Sequence, residues 1–185
     1  MRVPDLVTPR LRIRELRLDD LEAIHHVLNA AWASDEPLAS RLDWLDWTVR
    51  SYAELASLMQ PPYGERAIEL RVSGGLAGAV GYVPAFGPFG QLPSFGGLRP
   101  GTAAFQPEFG LYWAIAPELQ GQGIATEAAA ALIRHARSEL HLGRIVATTT
   151  HENLASQGVM RKLGMRVERN PHPEPPWFQS VGILD

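Results

Sequence analysis

From Arg10 to Leu16 the chain alternates between apolar and charged residues, Leu11 and Ile13 against Arg10, Arg12 and Arg14. This period of two predicts a strand with one buried face. Asp19 and Asp20 then offer an N-cap to a helix carrying Leu21, Ile24, Val27, Leu28 and Ala31 at helical spacing and ending near Ser34. A second helix follows on Leu42, Leu45, Val49, Tyr52, Leu55, Leu58 and Met59, and Pro61-Pro62 stops it because proline cannot donate to the helical ladder. Trp44 and Trp47 sit on this helix as core residues or pocket walls. Ile68, Leu70 and Val72 alternate again, Ser73-Gly74-Gly75 marks a tight turn, and Leu76 to Val83 resumes an apolar run, which together read as an antiparallel hairpin.

The segment from Pro84 to Pro107 has five prolines, five glycines at 87, 90, 96, 97 and 101, four phenylalanines and one charge, Arg99. Its composition excludes a regular helix or a central strand and points to an insertion loop. Phe86, Phe89, Phe95 and Phe105 argue against exposed disorder, so the loop is a lid, a contact between two copies in a homodimer, or a tucked segment. Glu108 to Ile115 has strand length, and Pro117 ends it. Gln120-Gly121-Gln122-Gly123-Ile124-Ala125-Thr126-Glu127 follows, then an alanine-rich helix from Ala128 to Leu140. Arg144 to Thr150 is strand-like, Asn153 caps a helix over Leu154 to Leu163, and Gly164 supplies its left-handed C-terminal residue. Two closing strands, Met165 to Arg169 and Phe178 to Leu184, flank a proline-rich loop at 171–176.

Composition narrows the chemistry. The 185 residues, 45% of them hydrophobic and 20% charged, suit one globular domain over 1–185. The lack of Cys excludes a thiol nucleophile and Cys-ligated zinc. A net charge of -3 argues against nucleic acid as a partner. No apolar run reaches bilayer length and the start lacks a signal-peptide core, so a cytoplasmic location without membrane association is expected. His25 and His26 are adjacent and cannot share one helix face as a metal pair, and no metal is expected.

A strand that delivers the chain into a glycine turn and then a helix presents unpaired amides able to hold phosphate oxygens. Three ligands compete. A dinucleotide fingerprint wants a third glycine where Thr126 stands, and a nucleoside-triphosphate loop wants a lysine that is absent. The third is a diphosphate held by amides alone. Gln120-x-x-Gly123-x-Ala125 after an apolar strand, with Asn153-Leu154-Ala155-Ser156 and Val159 to Met165 downstream, resembles the GCN5-related N-acetyltransferase (GNAT) family, closest to its Rim-type ribosomal-protein branch. The resemblance covers nearly the whole chain. It implies an α/β (α+β) fold with a mixed, mostly antiparallel twisted sheet of about seven strands flanked by about four helices. The implied order is strand, two helices, three strands, helix, strand, helix and two strands.

By the same resemblance, amides of Gly121, Gln122, Gly123, Ile124, Ala125 and Thr126 bind the diphosphate of acetyl-coenzyme A, with Gln120 bordering it. The backbone of Trp113, Ala114 and Ile115 pairs with the pantetheine arm as an added strand. Asn153 hydrogen-bonds near the pantetheine, and Ser156 faces the thioester. Amine acetylation needs a neutral amine, so a base or a water relay is required. Glu108 stands at the family's usual base position, or else merely ends the loop in solvent. Glu127 complements the helix dipole as a structural carboxylate. Many relatives have a tyrosine acid where this chain has Met160, and Ser156 is the substitute, unless it only stabilises the first turn of its helix. Asp35, Glu36, Asp43 and Asp46 either attract a cationic acceptor or simply solvate a helix start. The expected activity is direct acetyl transfer to a primary amine, of a protein N-terminus or a small molecule. The alternatives are a coenzyme-A-binding regulatory module without turnover and an acyltransferase that uses a larger donor such as succinyl-coenzyme A.

Overall fold

Alternation at the start of the chain produces two strands, β1 (Leu6–Val7) and β2 (Leu11–Glu15), in the computed structural model, which describes residues 1–185. Leu11 and Ile13 are fully buried, as the period of two requires. Asp20 does not cap the helix that follows. A 3-10 turn, Leu18–Asp20, precedes α1 (Leu21–Trp32), and the Asp20 carboxylate turns back to Arg14, which donates from both Nη atoms at 2.8 and 2.9 Å. Arg14 is itself buried and also donates from Nε to Glu69 at 2.7 Å. A charged, bidentate pair outweighs a single cap bond, and the carboxylate goes where the stronger donors are. Burial alone would push Asp20 up, but Arg14 and the Arg17 amide overcome this and hold it below the usual carboxylate range.

α2 (Leu38–Ser57) ends before Leu58 and Met59, which are exposed rather than part of its apolar stripe. β3 (Gly64–Leu70) and β4 (Leu76–Gly87) form the expected hairpin, although Val72 belongs to the exposed turn. β5 (Gln106–Ile115) leads into α3 (Ile124–Ser138), whose helix starts in the glycine turn itself. Further on lie β6 (Ile145–Thr149), α4 (Leu154–Lys162), β7 (Arg166–Arg169) and β8 (Ser180–Leu184). The count of four helices is as expected, and β1 brings the strands to eight.

These elements fall into two units, Met1–Val83 with Tyr112–Glu139, and Pro84–Leu111 with Leu140–Asp185. In the first, the strand order is β1-β2-β3-β4-β5, with β4 leaving at Val83 and β5 entering at Tyr112. Its core joins Leu16, Ile24, Leu28 and Leu45 to Ala67, Ala79 and Ala114 of the sheet, with Trp44 and Tyr112 packed against it. In the second, the order is β5-β6-β8-β7; β5 meets β6 in parallel at Gly110 and Val146, and the other pairs are antiparallel.

The Pro84 to Pro107 segment differs from the loop expected. β4 continues through Pro84 to Gly87 and β5 already includes Pro107, because proline is tolerated in a strand wherever its missing N–H is not needed by a neighbour. Two 3-10 turns, Phe89–Gln91 and Pro93–Phe95, carry the chain between them. Phe89 and Leu92 are fully buried with Val146, Phe178, Val181 and Ile183, and the Phe89 and Phe178 rings meet edge-on at 5.0 Å. This part is core of the second unit, not a lid. Phe86 and Phe105 stay half exposed, with ring centroids 5.4 Å apart. Phe89→Ala should therefore cost about 3–5 kcal/mol in a urea melt, the range for truncating a buried aromatic. A loss under 1 kcal/mol would mean that the segment is a removable cover.

Candidate functional site

The turn before α3 is built by two glycines in the left-handed region, Gly121 at φ 73° and Gly123 at φ 78°. Gly123 is the helix N-cap, and no side chain caps it. The Gln120 amide bonds to Pro117 and the Glu127 amide closes the first helical bond on Gly123 at 3.0 Å. Between them the amides of Gly121, Gln122, Gly123, Ile124, Ala125 and Thr126 have no acceptor in the protein. A row of free donors at the positive end of a 15-residue helix is an anion site in its backbone alone. The Gln120 side chain folds away from it and donates to the Ile115 carbonyl at 3.0 Å. That bond ties the turn to the end of β5.

The turn is held from below by residues that the sequence does not single out. Glu127 accepts from the Thr8 hydroxyl at 2.6 Å, the Arg10 amide at 3.0 Å and Arg10 Nε at 2.6 Å. Arg10 Nη1 also donates to the Gln122 carbonyl at 2.9 Å, inside the turn. Burial would raise the Glu127 pKa; the Thr8 hydroxyl and then Arg10 reverse this and hold it below the usual range. Glu127 is thus structural, as its place in the first turn suggested. Arg10 was visible only as the polar side of a strand, and no local signal links it to a carboxylate 117 residues away.

Trp113, Ala114 and Ile115 follow Tyr112 on the outer strand of the first unit. β5 meets β6 at Gly110, short of Tyr112, and on the outer backbone edge of Tyr112 to Ile115 the bond is that of the Gln120 side chain to the Ile115 carbonyl. The first unit therefore brings together the strand edge and the amide turn. Glu108, Asn153 and Ser156 belong to the second unit. Glu108 Oε1 accepts from Arg144 Nη1 at 3.2 Å, while Arg144 Nε reaches Asp185 at 2.7 Å and its guanidinium lies 4.8 Å from the Phe95 ring centroid. Asn153 caps α4 by accepting from the Ser156 amide at 3.0 Å, and the Ser156 hydroxyl makes no hydrogen bond. His151 is engaged with Ser180 at 3.1 Å. Met160 is fully buried beside Gly182, and its thioether has no proton to give.

The model of the acetyltransferase (GNAT) domain matches residues 10–166. An uncharacterized N-acetyltransferase of Bacillus subtilis (strain 168), YnaD, is 45% identical over 56 residues, covering 30% of this chain and 33% of that protein. The match thus spans about a third of that curated relative's length. Among solved structures, the acetyltransferase from Agrobacterium tumefaciens str. C58 aligns at TM-score 0.70 and 20% identity, over 100% of this chain and 96% of that one. Mycobacterium smegmatis RimJ in complex with CoA-disulfide aligns at TM-score 0.66 and 21% identity, over 100% and 90%. Rim-type ribosomal-protein acetyltransferases are thus among the structures it resembles.

Because the native Glu127 pKa lies below its unfolded value, its bonds to Thr8 and Arg10 stabilise the fold above about pH 4.3 and are lost as pH falls through that range. Glu127→Gln should cost about 1–2 kcal/mol at pH 7 and much less at pH 3. Urea melts of both proteins at the two pH values check this, and an equal loss at each would remove the charge from the explanation.

Proposed function

The chain belongs to the GNAT acetyltransferase family, and from that we propose that its 185 residues act as a single N-acetyltransferase domain, passing an acetyl group from acetyl-coenzyme A directly to a primary amine. The observation that carries this is the run of six unaccepted amides from Gly121 to Thr126 beside the open strand edge at Tyr112 to Ile115. An amide row suits a diphosphate, and a strand edge suits the amide groups of pantetheine. Arg10 adds a positive charge next to the turn and offsets Glu127, whose carboxylate would otherwise face the incoming phosphates.

The coenzyme supplies an activated thioester. The amine nitrogen attacks its carbonyl carbon, the C–S bond breaks, one proton leaves the nitrogen and one is delivered to the thiolate. Glu108 is the proposed proton acceptor. Arg144 engages its Oε1, and Oε2 makes no hydrogen bond and stays available. Ser156, whose hydroxyl is uncommitted, is the proposed donor to the thiolate, in the role that Met160 cannot take. Asn153, with Oδ1 used by the cap, keeps its amide N–H groups for the pantetheine. Similarity to RimJ and to a ribosomal L7/L12 alpha-N-protein acetyltransferase supports a protein N-terminus as acceptor.

At a hundredfold excess over its dissociation constant acetyl-coenzyme A should raise the melting temperature by about 5–10 °C, and NAD should not. Silence from acetyl-, succinyl- and free coenzyme A would overturn the reading, and a larger shift with succinyl-coenzyme A would change the donor. Glu108→Gln should keep the thermal shift and lower kcat about 100-fold or more, the size of a lost general base. The parental rate at every pH would end the assignment of Glu108.

A further inference from the structure

Within the second unit the Glu108 carboxylate stands at one end of a ladder of charges that crosses four strands. β5 and β6 run parallel with Gly110 beside Val146, so Glu108 and Arg144, each two residues earlier, share one face. β8 runs antiparallel to β6 with Leu184 beside Ile145, which sets Asp185 opposite Arg144, and β7 adds Arg166 and Glu168. The side chains join in that order. Arg144 Nη1 donates to Glu108 Oε1 at 3.2 Å and its Nε donates to Asp185 Oδ1 at 2.7 Å. Asp185 Oδ2 lies 3.7 Å from Arg166 Nη2, and Arg166 Nε donates to Glu168 Oε1 at 2.8 Å. The Ser94 amide closes the far end by donating to Glu168 Oε2 at 3.2 Å.

The two ends of this ladder differ. Three carboxylates share two guanidiniums, so among these side chains one negative charge is left uncompensated. Every carboxylate oxygen has a guanidinium or an amide beside it except Glu108 Oε2. Solvent does not account for the exception, because half of the Asp185 side chain is exposed and both its oxygens are engaged, whereas the Glu108 side chain is only 17% exposed. A ladder that served stability alone would pair its enclosed oxygens first. Arginine commonly clasps one carboxylate with two donors. Arg144 instead divides its donors between two carboxylates, and its guanidinium lies 4.8 Å from the Phe95 ring centroid. It therefore holds a single oxygen of Glu108, in an orientation set by Asp185 and Phe95.

We propose that Arg144 is a positioning residue for acetyl transfer: seated by Asp185 and Phe95, it grips Oε1 of Glu108 and presents Oε2 at one fixed point to the acceptor ammonium. The uncompensated negative charge of the ladder then lies where the ammonium arrives. One N–H bond breaks, one O–H bond forms on Oε2, and the electron pair stays on nitrogen for the attack on the thioester. A carboxylate free to turn would offer either oxygen over a range of angles, and a misplacement of about 1 Å can cost about 100-fold in rate. Asp185 acts one step further back, by orienting Arg144. This role deepens the N-acetyltransferase reading and rests on it and on Glu108 as proton acceptor.

Steady-state kinetics on the full chain test it, with acetyl-coenzyme A as donor and alanyl-alaninamide, alanine and spermidine as acceptors, the fastest being carried forward. Arg144→Gln should lower kcat about tenfold or more and leave the KM of the amine and the acetyl-coenzyme A thermal shift little changed. Arg144→Lys keeps the charge and should recover part of the rate. In a Glu108→Gln background Arg144→Gln should cost nothing further in kcat, because the group it acts through is gone. Should Arg144→Gln melt too low to assay, Asp185→Asn leaves the arginine in place and reads the same coupling, a fall in kcat that is absent beside Glu108→Gln. A parental kcat in Arg144→Gln, or in Asp185→Asn where that variant stands in, overturns the positioning role. So does an equal loss with and without Glu108, which would make the ladder a sheet staple. Glu108→Gln at the parental rate ends this role together with the base assignment while acetyl transfer stands. Turnover of none of the three amines overturns the N-acetyltransferase reading itself.

Discussion

A helix that begins with no cap leaves its first amides unsatisfied, and the architecture around α3 follows from how that is managed. Most helices place a serine, threonine or aspartate at the N-cap to take one of these donors. This one places Gly123 in the left-handed region and leaves the whole row open. Such a turn is easily deformed, since glycine resists few conformations. It is held instead by a node outside the row. Glu127 gathers three donors from Thr8 and Arg10, and Arg10 reaches on to the Gln122 carbonyl. The turn between β1 and β2 thus clamps the helix start through the Glu127 side chain and the Gln122 carbonyl, and no amide of the row is consumed.

The same economy governs the other buried charges of the first unit. Arg14 lies in the interior and is fully committed to Asp20 and Glu69. Arg66, equally buried, stacks at 5.3 Å on the Tyr52 ring and faces Glu15 at 3.6 Å. Charges in a core survive when paired: Arg14 is paired and hydrogen-bonded, whereas Arg66 has the ring and a more distant carboxylate, and its Nη1 has no hydrogen-bond partner. Tyr112 and Arg41 share that feature, each with one buried polar atom left without a partner.

How much of this was legible in the sequence depends on the range of the cause. Periodicity is local, so β2, the two early helices, the β3–β4 hairpin and α4 with its Asn153 cap stand close to where apolar spacing puts them. The glycine turn was legible for the same reason, because strand, two glycines and helix are consecutive. Asp20 was misread because an N-cap is inferred from neighbours, while its actual partner, Arg14, wins by bidentate charge. For the Pro84 to Pro107 segment the sequence leaves a lid, a dimer contact and a tucked segment open, because proline marks an irregular backbone but says nothing about whether Phe89 will find Phe178. Arg10, in the turn between β1 and β2, meets Glu127 of α3 only through the fold. No spacing rule in one dimension could have paired them.

The carboxylates show why environment, more than residue type, decides chemistry. Glu108 and Glu65 are both strand residues and both partly buried. Glu108 has a guanidinium on one oxygen, and that guanidinium is shared with Asp185 and packed on Phe95, so its orientation is fixed by three contacts. Glu65 has enclosure without a cation, and burial pushes its pKa up against the hydrogen bond from its own backbone. A fixed, partly solvated carboxylate with one free oxygen is suited to receive a proton at a defined point. A desolvated one without a counter-ion is suited to attract a cation. Two groups with the same side chain are thereby driven toward different tasks, which is how one fold assigns separate roles to chemically equal residues.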